Sequence, residues 1–178
     1  MSNINHFKIE KSNKIEGVYI FTPSFGKDDR GIIYTSFYEN NFREFLPTNL
    51  KFKHDKFSSS KKNVLRGIHG DVKSWKLISC VYGEIYQVVV DCRQDSPTYK
   101  HWEAFTINSD SPQMILLPPK MGNSFFVNSE MAIYHYKLAY SGDYIDADEQ
   151  FTVSWNDPRI NIKWPTNDPI LSERDARL

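Results

Sequence analysis

The sequence predicts an all-β fold, a β-sandwich or barrel with few short helices. Nine short runs rich in β-branched and aromatic residues occur along the chain, with turn-forming residues between them. Aromatic residues make up 15 % of the 178 residues, enough to fill a sizeable core. Only residues 40–46 have the pattern of a helix, with Asn40 or Asn41 as its N-cap. Many short strands in a chain of this length are typical of sandwiches and barrels.

The predicted strands follow one another at short intervals. They are residues 18–21, 32–37, 64–69, 76–81, 85–90, 102–107, 114–117, 125–127 and 131–140. Turn signals between them include Tyr82-Gly83, Asp95-Ser96-Pro97 and Ser141-Gly142-Asp143. Prolines mark residues 158–169 as a loop that leads to a short C-terminal tail. Because no repeat or linker interrupts the pattern, residues 1–178 are expected to form a single domain.

Composition argues against several classes of protein. Lys plus Arg equals Asp plus Glu, 22 of each, which disfavours a general nucleic-acid or membrane-surface binder. The sequence has no run of 18 apolar residues, so no membrane span is expected, and residues 1–17 have no apolar signal-peptide core. Cys80 and Cys92 lie in apolar runs without CxxC spacing, which favours buried thiols in a reducing cytoplasm over a disulfide or metal pair. Zinc would need about four clustered ligands, so no metal is expected.

Charge is unevenly distributed although it sums to zero. Residues 51–76 carry eight basic and two acidic side chains, a local net charge of +6. Residues 141–157 carry five acidic side chains and no basic one, a local net charge of −5. Two interpretations are open. The two segments are solvated faces, or the basic stretch attracts a phosphorylated small molecule.

His69 is the histidine whose sequence context is most suggestive of chemistry. It lies in a predicted strand, where simple alternation places Arg66 and His69 on opposite faces. A histidine in a strand is commonly a hydrogen-bonded filler of space. The flanking Gly67 and Gly70, however, let a ligand or another backbone approach closely. An imidazole at such a place could act as a base near neutral pH.

A second candidate group lies in the last long strand. Alternation places Tyr134 and Tyr136 on one face and His135 and Lys137 on the other. On spacing alone, the tyrosines are core or rim aromatics. The functional alternative is a phenol that delivers a proton.

Short motifs along nearly the whole chain carry a family resemblance. They are Asp28-Asp29-Arg30-Gly31, Val64-Leu65-Arg66-Gly67-Ile68-His69, Lys76-Leu77, Gly83-Glu84-Ile85 with Val88-Val89-Val90-Asp91, Ser96-Pro97-Thr98-Tyr99, Tyr136-Lys137, Trp155-Asn156-Asp157-Pro158 with Trp164-Pro165, and Leu171-Ser172-Glu173-Arg174-Asp175. In this order they resemble the dTDP-4-dehydrorhamnose 3,5-epimerase family of nucleotide-sugar epimerases. The resemblance implies a cupin-like jelly roll, usually a homodimer, that uses no cofactor and no metal.

The resemblance also implies catalytic roles. His69 matches the base that removes a proton from the carbon beside the keto group of the sugar, and Asp175 matches the carboxylate that orients this histidine. Lys76 matches a cation near the keto oxygen, where enolate charge develops. Tyr136 matches the acid that returns a proton to the opposite face.

Substrate contacts and departures from the family pattern complete the implied site. Arg30 and Arg66 match positively charged contacts to the substrate, including its diphosphate. After Arg-Gly the family usually reads Leu-His-(Tyr or Phe)-Gln, whereas here the run 68–71 ends in Gly-Asp, and Asp71 is a predicted substrate-binding residue. Asn123 stands where the family usually has a second active-site histidine. An asparagine amide donates hydrogen bonds but cannot take up a proton at neutral pH.

The predicted function is an epimerase that inverts C3, C5 or both in a nucleotide-activated 4-keto sugar. The departures resemble a branch that acts on GDP-4-keto-heptoses in capsular polysaccharide synthesis, and Gly70 would free space for a heptose. A cytoplasmic location is expected, with no nucleic-acid or membrane partner. Four alternatives remain: a 3-only epimerase, a dTDP-4-keto-6-deoxyhexose 3,5-epimerase, a nucleotide-sugar 3,4-ketoisomerase and a non-catalytic sugar-binding cupin.

Overall fold

The computed structural model describes residues 6–177, and its regular secondary structure is mainly β-strand. The strands are β1 (Phe7–Lys11), β2 (Tyr19–Pro23), β3 (Phe25–Asp28), β4 (Gly31–Tyr34), β5 (Phe52–Lys61), β6 (Leu65–Gly70), β7 (Trp75–Tyr82), β8 (Glu84–Asp91), β9 (Trp102–Asn108), β10 (Met114–Leu117), β11 (Met121–Val127), β12 (Met131–Ala139) and β13 (Phe151–Thr152). Residues 1–5 and 178, which the predicted single domain includes, lie outside the described residues.

Helices in the described part of the chain are short. They are the α-helices α1 (Glu39–Phe42) and α2 (Glu173–Ala176) and the 3₁₀ helices Arg43–Phe45 and Ala147–Glu149. Within residues 6–177, no helix has the length and apolar character needed to span a bilayer.

Two antiparallel sheets form the body of the structure. The six-stranded sheet has the order β1-β2-β10-β7-β12-β5, and the five-stranded sheet has the order β13-β6-β11-β8-β9. Strands β3 and β4 form a separate hairpin. Neighbours in a sheet are seldom consecutive in sequence, as in a jelly roll, where the chain crosses repeatedly between two sheets. The all-β, cupin-like prediction is confirmed.

The main core lies between the two sheets. The six-stranded sheet contributes Ile78, Cys80 and Ile115, and the five-stranded sheet contributes Val89 and Phe125, all at most 4 % exposed. Burial of such side chains from both inner faces is what holds two sheets together.

The two cysteines are both free thiols. Cys80 is buried in the core as predicted, whereas Cys92 is only partly buried. Burial raises the pKa of each thiol to about 11, so both remain uncharged at neutral pH.

Four strands, one α-helix and the 3₁₀ helix Ala147–Glu149 were absent from the sequence-based prediction. Strand β5 was missed because its side chains alternate between partly buried and exposed positions and are largely polar. Strands β1, β3 and β13 are short or largely exposed. The predicted tail contains helix α2, whose N-cap Ser172 accepts a hydrogen bond from the Asp175 amide. This Ser-x-x-acid spacing is itself a capping signal.

The predicted helix over residues 40–46 exists with different ends. Helix α1 begins at Glu39, and Arg43–Phe45 continues as 3₁₀ helix. Its N-cap is Tyr38, which makes no side-chain capping hydrogen bond, so the prediction of Asn40 or Asn41 as cap is wrong. Packing explains the position of the segment, because Phe42 is buried against Phe21 with ring centroids 4.6 Å apart.

A β-bulge in β6 changes which side chains share a face. His69 pairs with Asn123 and Arg66 with Phe125, so three steps along β6 oppose two steps along β11. The extra residue reverses the alternation, and Arg66 and His69 both line one cavity. The prediction that they lie on opposite faces is therefore wrong. At Gly67, φ is +111° and an added Cβ would lie 2.6 Å from the Asn123 carbonyl oxygen, so this close approach needs glycine.

We expect Gly67→Ala to lower the free energy of unfolding by roughly 1–3 kcal/mol, because the new methyl group meets backbone at a positive φ. Gly26→Ala is the matched control. Its φ is not positive and its added Cβ would be in ordinary contact with Ile33, so the change should stay within about 0.5 kcal/mol. Urea unfolding measures both values. Equal stability of the two variants would contradict the tight packing at Gly67.

Candidate active site

A cavity of about 460 Å³ opens between the two sheets. Strands β5, β7 and β12 of one sheet and β6 and β11 of the other contribute its walls, together with residues of segments 144–150 and 170–175. Its volume suits a small-molecule ligand. Six of the predicted site residues line it: Arg66, His69, Lys76, Asn123, Tyr136 and Asp175.

His69 and Asp175 form a hydrogen-bonded pair in this cavity. His69 Nε2 lies 2.5 Å from Asp175 Oδ1, and Asp175 Oδ2 accepts hydrogen bonds from Ser172 Oγ at 2.9 Å and Gly67 N at 3.4 Å. Burial by itself would raise the pKa of Asp175, but these hydrogen bonds outweigh it and the pKa lies below its ordinary value. Because a carboxylate only accepts, Nε2 carries a proton, and in a neutral imidazole the lone pair is then on Nδ1.

Lys76 places an amino group inside the same cavity. Its side chain is 9 % exposed, and Nζ lies 3.3 Å from Asp71 Oδ2. Burial lowers the pKa of Lys76, and the Asp71 charge offsets only part of that effect.

Asp71 has a different position from the one predicted. It is 3 % exposed and does not line the cavity. Its Oδ1 accepts hydrogen bonds from the amides of Lys73 and Ser74 at 3.0 and 2.6 Å, which shapes the turn before β7. The prediction that Asp71 contacts substrate is corrected: in this structure it supports Lys76 from behind.

Tyr136 faces the cavity from β12, next to a lysine that sequence reasoning did not single out. Lys56 on β5 is the direct cross-strand partner of Tyr136, so the two side chains share a face. Lys56 Nζ contacts Tyr144 Oη at 3.2 Å and Asp146 Oδ1 at 3.4 Å. Burial raises the pKa of Tyr136, and the Lys56 charge opposes this rise. The sequence identified Lys56 only as one of the basic residues of segment 51–76, because local sequence patterns do not show pairing between residues 80 positions apart.

Asn123 also faces the cavity, and the oxygen of its side-chain amide is hydrogen-bonded to two neighbouring side chains. Its Oδ1 accepts hydrogen bonds from Gln87 Nε2 at 2.7 Å and from Tyr134 Oη at 3.1 Å. Asn123 pairs with His69 across β11 and β6, so the two side chains lie next to each other.

The two predicted arginines differ in position. Arg66 lines the cavity, with Nε donating to Ser60 Oγ at 2.9 Å. Arg30 is outside it, on the β3–β4 hairpin, where its side chain is 90 % exposed and pairs with Asp28. The cavity of this single chain therefore does not include Arg30.

Gly70 does not leave space for a ligand. A Cβ at this position would collide with the Met121 carbonyl oxygen and the Phe151 ring. The protein itself fills the space that was expected to admit a larger sugar. The argument that Gly70 makes room for a heptose is therefore wrong.

The cavity combines groups suited to proton transfer at carbon. An imidazole, a buried amine and a phenol line one space, together with a guanidinium. Within residues 6–177, no group of three His, Cys, Asp or Glu side chains is placed to hold a metal ion.

The chain is similar in sequence to known proteins over most of its length. The sequence model of the family described as dTDP-4-dehydrorhamnose 3,5-epimerase matches residues 12–178. A relative of that name from Escherichia coli strain K12 is 36 % identical over 169 residues, 93 % of this chain and 90 % of the relative. The dTDP-4-dehydrorhamnose 3-epimerase of Streptomyces niveus is 37 % identical over 164 residues, 90 % of this chain and 78 % of the relative.

A solved structure extends the similarity to three dimensions. It is that of a dTDP-6-deoxy-D-glucose-3,5-epimerase from Legionella pneumophila Philadelphia 1 in complex with dTDP-4-keto-L-rhamnose. The TM-score is 0.87 at 32 % identity, covering 97 % of this chain and 91 % of that one. With the family model and these relatives covering most of its length, the chain belongs to the dTDP-4-dehydrorhamnose 3,5-epimerase family.

Proposed function

We propose that this chain inverts C3, C5 or both in a dTDP-linked 4-keto-6-deoxy sugar. As a member of a family of epimerases, it is an isomerase of the racemase and epimerase class. The observation that carries the proposal is that His69, backed by Asp175, lines the same cavity as Tyr136 and Lys76. These are the groups that proton removal and return beside a ketone require.

The proposed reaction begins with His69. Its Nδ1 removes the proton from the carbon beside the ketone, and the electron pair of that C–H bond moves to form an enolate. Asp175 stabilises the protonated imidazole through the hydrogen bond at Nε2. A positioned base of this kind contributes about 10²- to 10⁴-fold in rate.

The enolate oxygen needs positive charge or hydrogen-bond donors beside it. Lys76 supplies a cation from a buried position, and the Asn123 amide lies next to His69. Removing one such donor typically costs on the order of 3 kcal/mol in the barrier.

Tyr136 completes the inversion in this proposal. Its hydroxyl gives a proton to the opposite face of the carbon as the enolate returns to the ketone. The products at the enzyme are a phenolate and a protonated imidazole, and exchange with water restores both. The Lys56 ammonium, on the same face as Tyr136, compensates the phenolate charge.

The dTDP-linked substrate is favoured over the GDP-heptose first expected. The relatives named above are described as acting on dTDP-linked sugars, and the space that Gly70 was to provide for a heptose is filled. Which carbons are inverted is a separate question, since the relatives include both a 3,5-epimerase and a 3-epimerase.

A homodimer in the cytoplasm is the proposed setting. The β3–β4 hairpin carries Arg30 together with two exposed apolar side chains, Phe25 at 44 % and Ile33 at 65 % exposure. The register places these two side chains on opposite faces of the hairpin, and exposed apolar side chains of this kind suit burial in a self-complementary contact. A second copy would cover them, and Arg30 could then reach the partner's cavity. The free thiols Cys80 and Cys92 suit a reducing compartment. A monomeric mass by light scattering would contradict the dimer.

The proposed activity is tested by incubating the protein with 4-keto sugars in D₂O. We expect deuterium at C3, C5 or both of the dTDP-linked sugar, because His69 and Tyr136 exchange their protons with solvent. Mass spectrometry and NMR give the amount and position. No incorporation at either carbon would reject an epimerase and leave a sugar-binding protein, and a keto group moved to C3 would indicate a ketoisomerase. Faster exchange with GDP-4-keto-heptose would restore the heptose hypothesis.

In the same assay, His69→Asn should lower the exchange rate by at least about 10²-fold, because the base is lost. His101→Asn is the matched control, since His101 is exposed and outside the cavity. It should leave exchange unchanged. Circular dichroism establishes that both variants fold. Equal rates in the two variants would remove His69 from the role of base.

The pH profile tests the pairing of Lys56 with Tyr136. Because the phenol donates only when protonated, activity is lost as the pH rises through the Tyr136 pKa. Lys56→Gln removes the charge that opposes the effect of burial, so this pKa rises and the alkaline loss of activity moves to higher pH. We also expect kcat to fall roughly tenfold at pH 7.

Lys61→Gln makes the same charge change on β5 outside the cavity and should alter neither quantity. An unshifted alkaline limb in Lys56→Gln would contradict the proposed role of Lys56.

A further inference from the structure

We infer that Gln87 and Tyr134 are positioning residues that hold the Asn123 amide in one orientation, with Nδ2 facing the cavity as a hydrogen-bond donor to the substrate's keto oxygen. This inference rests on the proposed function for the identity of the acceptor. The orientation itself follows from the hydrogen bonds of the protein.

The orientation is determined in two steps that begin at Val88. Gln87 is fully buried on β8, and one end of its amide lies 3.0 Å from the Val88 carbonyl oxygen. Because a carbonyl oxygen only accepts, that end of Gln87 is Nε2. The same atom lies 2.7 Å from the Asn123 side chain. An N–H group needs an acceptor there, so the Asn123 atom is Oδ1 and the remaining atom is Nδ2.

Tyr134 supports the same orientation from β12. Its side chain is 1 % exposed, its ring stacks on Phe125 at 4.2 Å between centroids, and its hydroxyl lies 3.1 Å from Asn123 Oδ1. Burial raises the pKa of Tyr134, so it remains a phenol and donates its proton to Oδ1. Two donors from opposite sheets thus meet on one oxygen.

The other end of the Asn123 amide is available for a ligand. Among residues 6–177, Nδ2 has no hydrogen-bond acceptor, and Asn123 lines the cavity beside His69. Gln87 Oε1 is buried without a partner in the same part of the chain, an unfavourable arrangement that the structure retains. Leaving a buried polar atom unpaired costs free energy. That Gln87 is nevertheless present is consistent with a functional role for the hydrogen bond that its Nε2 donates to Asn123.

The chemical consequence is a neutral donor at the enolate oxygen. An amide N–H strengthens its hydrogen bond as the oxygen gains charge, yet it neither accepts nor releases a proton at neutral pH. Proton transfer is then confined to His69 and Tyr136.

Gln87→Glu tests the positioning role by making the donor titratable. Ionised, the new carboxylate only accepts, so the Asn123 amide turns and presents Oδ1 to the keto oxygen. At a pH high enough to ionise this group, we expect kcat to fall roughly 10- to 100-fold with KM changed less than threefold. Burial raises the pKa of this carboxyl group, so it becomes protonated as the pH falls. The protonated group again donates to Asn123 Oδ1, and the ratio of variant to wild-type kcat should return toward one.

The ratio isolates this effect, because both proteins share the other titratable groups of the cavity: Lys56, Arg66, His69, Lys76, Tyr134, Tyr136, Tyr144, Asp146, Arg174 and Asp175. A ratio near one at a pH at which infrared spectroscopy shows the new carboxyl group to be ionised, or a ratio that is low and independent of pH, would overturn the inference.

A milder pair of variants covers the case in which Gln87→Glu does not fold. Tyr134→Phe keeps the ring on Phe125 and removes only the donor to Asn123, so kcat should fall about three- to tenfold. Tyr86→Phe is the matched control. It loses a hydroxyl bonded to the Lys163 carbonyl oxygen, outside the cavity, and should retain full kcat. Equal kcat in the two variants would overturn the role of Tyr134.

Neutron diffraction of perdeuterated protein decides the orientation without any substrate. We expect two deuterons on the cavity-facing atom of Asn123 and none on the atom that faces Gln87. The reverse assignment would overturn the inference. Absence of deuterium exchange by the wild-type protein on 4-keto sugars would instead reject the proposed function, so the two failures are distinguishable.

Discussion

The backbone at Gly67 joins the two halves of the candidate site. Its bulge inserts one extra residue into β6, and this insertion lets Arg66 and His69 face the same cavity. Its amide also donates to Asp175, the residue that orients His69. A side chain at this position would meet the neighbouring strand, so the bulge, the close strand approach and the carboxylate contact all depend on glycine.

The cavity keeps its charges in separate places. Lys76 is buried on β7 with Asp71 behind it, and Lys56 lies nearer the surface between Tyr144 and Asp146. Asn123 adds a neutral donor between the sheets. In a partly desolvated space, such placement matters more than in water, because a poorly screened charge acts strongly on the groups next to it. The arrangement suits the proposed reaction, in which negative charge develops first at the keto oxygen and then at the Tyr136 phenol.

Some motifs that carry the family resemblance serve the scaffold and not the cavity. Asp91 accepts hydrogen bonds from Arg93, Ser96 and Thr98, and these contacts outweigh the effect of burial and lower its pKa to about 2. Together they shape the loop between β8 and β9. A match to a family pattern therefore includes both residues that line the cavity and residues that stabilise loops, and position in the fold separates the two.

The sequence by itself determined the all-β class, most strands, the family and the roles expected of His69, Tyr136 and Asp175, because alternation and short motifs are local properties of the chain. Only the tertiary structure decided that Arg66 joins His69, that Asp71 supports Lys76 and that Arg30 lies outside the cavity. It also brought forward Lys56, which pairs with Tyr136, and Gln87, which holds Asn123. These relations depend on strand register and on packing between sheets, which join residues far apart in sequence and leave no periodic trace in it.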